Sequence, residues 1–292
     1  MAAASQPVVN IRVARPEDAE TCGRICFHAF STINAAHGFP CDFPGPEVTT
    51  GMFRWVFAHP EAFYSVVGEV DGRIVGSNAM DERSPIRGVG PVTVDSDTQN
   101  AGVGRHLMKA VMDRAGERGA AGLRLVQAAF HTRSMSLYAS LGFDVREPLA
   151  CMQGKTQERG VEGCTVRPAT AADLDACNEL SRSVHGFDRG GDLAQETEAG
   201  NARVVERGGR ITGYASELAF FGHATAESNL DLQALLASAE RFGGPGILVP
   251  TRNAALLRWC LANGLRIVQP MTLMTMGLYN QPAGAWLPSV MF

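Results

Sequence analysis

The residues best placed to do chemistry lie between positions 92 and 106. Val92-Thr93-Val94 is the apolar end of a strand, and it runs through Asp95-Ser96-Asp97-Thr98 into Gln99-Asn100-Ala101-Gly102-Val103-Gly104-Arg105. A long amphipathic helix follows. A strand, a glycine-punctuated loop and a helix start form an anion site. The first helical N–H groups have no intrahelical acceptor, and the helix dipole adds positive potential there. Glycines let the main chain come close to a pyrophosphate and adopt positive φ. Three phosphate-binding patterns compete. The pattern G-x-x-x-x-G-K-[ST] is absent. The dinucleotide pattern G-x-G-x-x-G is met only in its first two glycines, because Leu107 stands at the third. Nor does an acid lie about 20 residues on, where Leu123 and Arg124 stand. The pattern Q/R-x-x-G-x-G/A after a strand is matched by Gln99, Gly102 and Gly104.

The elements that must hold this loop can be read from periodicity. Residues 16–35 and 46–58 read as helices, 65–70 and 73–80 as paired strands, and 89–94 as a third apolar strand. Residues 102–118 read as a helix, with Leu107, Met108, Val111, Met112 and Ala115 spaced by three and four. Residues 123–129 form another strand. A short helix over 134–141 stops at Gly142. The expected fold class is α/β with a mixed central sheet flanked by helices, antiparallel strands first and a strand–helix–strand unit after them.

At 292 residues, and roughly 150 residues per domain, the chain has length for two domains, and an internal repeat supports that division. Ile11-Arg12-Val13-Ala14 leads into Pro16-Glu17-Asp18 and a helix. Val166-Arg167-Pro168-Ala169 leads into Ala172-Asp173 and a similar helix, with Cys177 in the place of Cys22. Gly72-Arg73-Ile74-Val75-Gly76 is echoed by Gly209-Arg210-Ile211-Thr212-Gly213, and Leu137 to Phe143 by Trp259 to Leu265. The polar, glycine-bearing stretch 155–163 is the expected linker between copies at 1–154 and 164–292.

Apolar residues make up 45 % and charged residues 19 %, an ordinary globular composition. The net charge is −4, with no run of Lys and Arg, which disfavours a nucleic-acid binder. No segment approaches the roughly 20 apolar residues of a membrane span, and the N-terminus does not read as a secretory signal. The seven cysteines are scattered and never spaced C-x-x-C. Cys22 and Cys26, four apart, read as a packed helix face rather than a metal site. A soluble, cytoplasmic protein without a metal cofactor is expected.

With the loop, the helix, the strand at 123–129 and then Leu137-Tyr138-x-x-x-Gly142-Phe143 in order, residues 10–150 resemble the GNAT superfamily of N-acetyltransferases. The resemblance implies that acetyl-CoA is the co-substrate and that 1–154 is the catalytic copy. It implies that the main chain of Val92, Thr93 and Val94 is splayed from a neighbouring strand and bonds the pantetheine arm and the acetyl carbonyl. The amides of Asn100, Ala101, Gly102, Val103, Gly104 and Arg105, behind Gln99, would hold the pyrophosphate. Tyr138 would protonate the departing thiolate. His131 stands where many members carry a CoA-contacting Asn, and Val126 where some carry a glutamate base. Asp81, Glu82, Asp95 and His131 are the remaining base candidates. A non-catalytic acyl-CoA sensor and a dinucleotide-dependent oxidoreductase are the rival readings.

The second copy lacks the glycine loop after residues 221–228. It carries Cys260 where Tyr138 stands and Asn253 where His131 stands. It is expected to be a degenerate copy that completes an acceptor pocket or a homodimer, or that holds a separate effector. Its apolar tail, Trp286-Leu287-Pro288-Ser289-Val290-Met291-Phe292, should pack against the body or a partner. Which small-molecule primary amine is the acceptor cannot be read from the residues; the resemblance implies that the connection of the first two helices, residues 37–45, shapes its pocket, and a plain structural loop is the alternative reading.

Overall fold

The computed structural model describes residues 8–98, 101–157 and 160–291. Contacts divide the chain into two compact units, residues 1–82 with 86–123, and residues 83–85 with 124–292.

The first unit contains β1 (Asn10–Val13), α1 (Ala19–Ala36), α2 (Pro46–Ala58), β2 (Phe63–Val70), β3 (Arg73–Asp81), β4 (Ile86–Val89), β5 (Thr93–Val94) and α3 (Val103–Glu117). Its sheet runs β1-β2-β3-β4, and β5 also pairs with β3. These ladders are antiparallel. Successive strand residues point to opposite faces, and β2 shows the consequence. Val67 joins Cys22, Cys26, Phe53 and Phe57 in the core under α1 and α2. Its neighbour Gly68 faces α3, where an added Cβ would lie 3.2 Å from Val103. Gly76 on β3 does the same, at 3.1 Å from Leu107. The two missing side chains let α3 sit close on the sheet. Burial pushes the Cys22 thiol up to about 12, so this cysteine packs as a small apolar group.

The expected strand over 89–94 is two strands. Ser77 pairs with Thr93 and Met80 with Val89. Asn78 and Ala79 therefore face three residues, Gly90, Pro91 and Val92. One extra residue on one side is a bulge. Gly90, at φ 143°, takes a conformation that favours glycine.

The second unit contains most of β6 (Gly122–Ala128), then α4 (Thr132–Ser140), β7 (Asp144–Gln153), β8 (Thr165–Pro168), α5 (Leu174–His185) and α6 (Gly190–Glu198). It continues with β9 (Arg203–Arg207), β10 (Arg210–Ala215), β11 (Ala224–Ala226), α7 (Asn229–Ala237), β12 (Ile247–Pro250), α8 (Ala254–Ala262), β13 (Arg266–Gly277) and β14 (Ala285–Leu287). One run of strands is β6-β13-β7-β12 and another is β14-β11-β10-β9-β8. β7 lies between β12 and β13, antiparallel to both. Strands from either side of residues 155–163 thus share one sheet, and that stretch falls inside the second compact unit.

The sequence repeat reappears as repeated hydrogen bonding. Arg12 forks onto Asp18 at 2.7 and 2.9 Å and reaches Glu69 at 2.8 Å. Arg167 forks onto Asp173 at 2.8 and 2.7 Å and reaches Glu206 at 2.9 Å. In both, the aspartate also accepts the N–H three residues earlier, from Arg15 or Thr170, which closes the short turn that leads into the following helix. Later, Phe143 N–H donates to Tyr138 O and Leu265 N–H to Cys260 O, each at 3.0 Å.

The Arg167 bonds hold the Asp173 carboxyl well below the usual carboxylate range. A depressed carboxyl stabilises the fold above its unfolded value, about pH 4, and that stability is lost as pH falls toward the folded value. Asp173→Asn should therefore cost about 1–3 kcal/mol at pH 7. The gap from wild type should narrow between about pH 4 and pH 2. Urea unfolding at pH 7, 5 and 3 checks this, and a gap independent of pH would contradict it.

Candidate functional site

The loop that opens α3 is built around Gly102. This residue is the helix N-cap at φ 78°, ψ 3°, a left-handed conformation, with no side-chain cap on the helix. A Cβ at Gly102 would meet nothing closer than the His106 ring at 3.6 Å. The constraint is therefore the backbone conformation and not space. Gln99 and Asn100 lie outside the described residues.

The expectation that every amide from 100 to 105 is a donor narrows here. Ala101 N–H is engaged by Thr98 O at 3.3 Å and Arg105 N–H by Gly102 O at 3.0 Å. The amides of Val103 and Gly104, in the first helical turn, have no intrahelical acceptor. Val103 is buried and its side chain anchors the turn against Gly68 and Gly76. The turn is thus fixed from beneath while its N–H groups point along the helix axis.

Val92 sits on the bulge, with Thr93 buried beside it and the Thr93 hydroxyl 2.9 Å from that of Ser77. Thr93 and Val94 form β5, and among the described residues β5 has β3 as its sole strand partner. The equivalent strand of the second unit differs. Tyr214 pairs with Thr225 as Ser77 does with Thr93, and β11 then pairs on its other edge with β14, Thr225 against Trp286. The C-terminal segment is tucked in, with Trp286 and Leu287 buried. The edge that stays open on β5 is closed on β11.

His131 is the N-cap residue of α4, and its N–H donates to Ala128 O at 2.9 Å. Asn253 holds the same place on α8, its N–H donating to Pro250 O at 3.0 Å, and there the side chain also accepts from Leu256 N–H. Tyr138 lies on α4 and is buried, its ring 6.3 Å from Phe143. Gly142, at φ 98°, turns the chain back under it. A phenol keeps its proton at neutral pH without help, and burial pushes that of Tyr138 well above its usual value, which makes it a weaker proton donor.

The candidate bases separate. Glu82 is held in a two-pronged ion pair by Arg114 at 3.1 and 3.2 Å, and that guanidinium stacks on Tyr64. Glu82 is thus committed to bracing α3. Asp95 borders a cavity of about 310 Å3, where Thr21, Arg24, Ile25 and His28 of α1 meet Asp95 and Asp97. This cavity was not foreseen. The periodicity of α1 shows which face is buried but not what its other face meets. Residues 37–45, expected near the acceptor, are packed differently. Phe43 is in the core with its ring edge-on to Phe30, Asp42 is buried, and Asn34 clamps Pro40 O at 2.9 Å.

In the first unit a bulged, one-sided strand leads into a left-handed glycine and a helix start, an arrangement suited to an anion. Residues 32–143 match the family model described as the acetyltransferase (GNAT) family. The chain therefore carries a GNAT acetyltransferase domain and is an acyltransferase. Among curated proteins no sequence matches. Solved structures do. A Pyrococcus horikoshii protein assigned as an acetyltransferase is 19 % identical over 95 % of this chain and 94 % of its own, with TM-score 0.69. A GCN5-related N-acetyltransferase from Sphaerobacter thermophilus is 15 % identical over 94 % and 98 %, with TM-score 0.63. At these identities the likeness concerns the fold, which it covers nearly end to end. Among the described residues, no helix is long and apolar enough to cross a membrane.

A side chain at position 102 must pay for a left-handed backbone. Gly102→Ala should lower stability by about 1 kcal/mol, read by urea unfolding. Unchanged stability would mean that the turn adopts another conformation.

Proposed function

We propose that the chain moves an acetyl group from acetyl-CoA to the primary amine of a small molecule by direct attack. The observation that carries this is the pair of open main-chain features in the first unit: the one-sided β5 behind its bulge, and the α3 turn opened by left-handed Gly102. Each offers N–H groups without local acceptors among the described residues. The Val103 and Gly104 amides, with the helix dipole behind them, suit a diphosphate. The free edge of Thr93 and Val94 suits an amide-bearing pantetheine arm. The Val92 N–H, on the bulge, suits the acetyl oxygen as it gains negative charge, a contact of the kind worth about 3 kcal/mol in the transition state. His131 is assigned to coenzyme contact through its place at the start of α4.

Asp95 is the carboxylate proposed to take the amine proton, because it borders the cavity of the first unit while Glu82 is held by Arg114. The carboxylates of Asp95 and Asp97 also favour a cationic amine there. The nitrogen then bonds to the acetyl carbon, the carbon–sulfur bond breaks, Tyr138 O–H gives its proton to the thiolate, and the now positive nitrogen loses its second proton, which restores the phenol. The second copy, with β11 sealed by β14 and no glycine turn before α7, has a structural rather than a catalytic part in this reaction.

Thiol release with a panel of amines tests the reading. Tyr138→Phe should lower kcat by about 100-fold or more, with acetyl-CoA affinity unchanged in calorimetry. Gly102→Val should abolish acetyl-CoA binding while the circular dichroism spectrum stays native. Retained affinity in Gly102→Val would show that the coenzyme binds elsewhere.

A further inference from the structure

The cavity of the first unit is lined by groups of both signs, and the acetyl-transfer reading uses only its acids. Thr21, Arg24, Ile25 and His28 stand three and four apart on α1, so they share one helix face. That helix is held from its other side, where Cys22 and Cys26 belong to one core with Phe53 and Phe57. Arg24 and His28 thus bring a guanidinium and an imidazole to a space of about 310 Å3.

The facing wall is the turn after β5. One oxygen of the Asp95 carboxylate accepts from Asp97 N–H at 3.1 Å, which orients that side chain. Among the described residues, the side chains of Arg24, His28 and Asp97 have no hydrogen-bond or ion-pair partner. Opposite charges therefore line one cavity without closing on each other. Arg24 and Asp97 are exposed, and an exposed pair formed directly between them would contribute little. A ligand that meets both walls has no strong contact to displace. Ile25, Ala29 and Ile74 supply the apolar part of the lining, and Ile25 is buried.

We propose that this cavity takes a small aliphatic amino acid. Its ammonium lies beside Asp95 and Asp97, its carboxylate on Arg24 and His28, and its hydrocarbon over Ile25, Ala29 and Ile74. A guanidinium meets a carboxylate with two parallel N–H donors, and a neutral imidazole adds one more in either tautomer. A monoamine would leave Arg24 and His28 unused. A diamine would bring a second cation to the wall that already carries Arg24. That the bound amino acid is the acetyl acceptor rests on the acetyl-transfer reading; that it binds does not. As acceptor it gives an N-acetylated amino acid and the free thiol. The first ammonium proton leaves through Asp95 to water, and the second replaces the one that Tyr138 gives to sulfur.

Ligand-detected NMR titrations of the full chain without coenzyme test this with three pairs of probes. They are glycine and methylamine, 4-aminobutyrate and propylamine, and L-leucine and 3-methylbutylamine, each pair differing only in the carboxylate. At least one carboxylated member should bind about 5–10-fold more tightly than its partner. Arg24→Met should abolish that preference. Asp97→Asn should weaken both members, because both carry the ammonium. Equal affinity within all three pairs on the wild type, which needs no variant to fold, would overturn the proposal. So would a preference that survives Arg24→Met. Thiol release from acetyl-CoA with the same probes separates this proposal from the reading beneath it. A binding preference without turnover would keep the amino-acid cavity and sink acetyl transfer. Turnover of the plain amines with no preference in binding would sink the amino-acid cavity and keep acetyl transfer.

Discussion

The proposed site depends on main-chain N–H groups that have no helix or strand partner among the described residues. A buried amide without an acceptor costs about 1–3 kcal/mol, so such groups persist only where a rigid frame prevents the local backbone from closing on itself. Here the frame is the contact between α3 and the sheet. Gly68 and Gly76 remove the side chains that would hold the helix away, and Val103 and Leu107 fill the space. Arg114, clamped to Glu82, ties the far part of the same helix to the end of β3. Between these anchors Gly102 can hold its left-handed turn, and the bulge over Gly90–Val92 can hold its extra residue.

The two copies show what happens when one such opening is closed. Their starts are framed by the same device, an arginine forked onto the aspartate that closes the turn before a helix and reaching a glutamate one strand away. Their ends share the hydrogen bond from the residue after the glycine back to position 138 or 260. They part at β5 and β11. The second copy lays its own C-terminal strand on β11, so main-chain groups that would otherwise need a ligand are satisfied internally. Trp286 on that strand stands edge-on to the His185 ring at 5.8 Å, so the same segment that seals β11 also walls a small cavity lined by Arg124, His185 and Arg189.

Much of this was legible in the residues. The glycines at 102 and 104, the spacing of apolar positions along 103–117 and the Tyr-x-x-x-Gly-Phe element are local signals, and the local structure follows them. The helix over 46–58 falls where periodicity puts it. The strand over 89–94 does not, because apolar residues on both sides of a bulge look the same as an unbroken strand. Glu82 looked like any acid at the end of a strand; its partner Arg114 is 32 residues away. Phe43 and Asp42 read as loop residues near an acceptor, but tertiary packing draws them inward.

The sequence by itself determined most of the first unit's elements, the repeat, the glycine turn and the family, because each is set by residue type at short spacing: φ at a glycine, period along a helix, hydrogen bonds within a turn. Only the tertiary structure decided that β7 sits between β12 and β13, that β14 covers β11 and leaves β5 one-sided, and that Arg124, His185 and Arg189 converge on one small cavity. Strand partners and buried charge clusters join residues tens of positions apart. Their energies depend on burial and on who else is near, which short-range pattern does not encode.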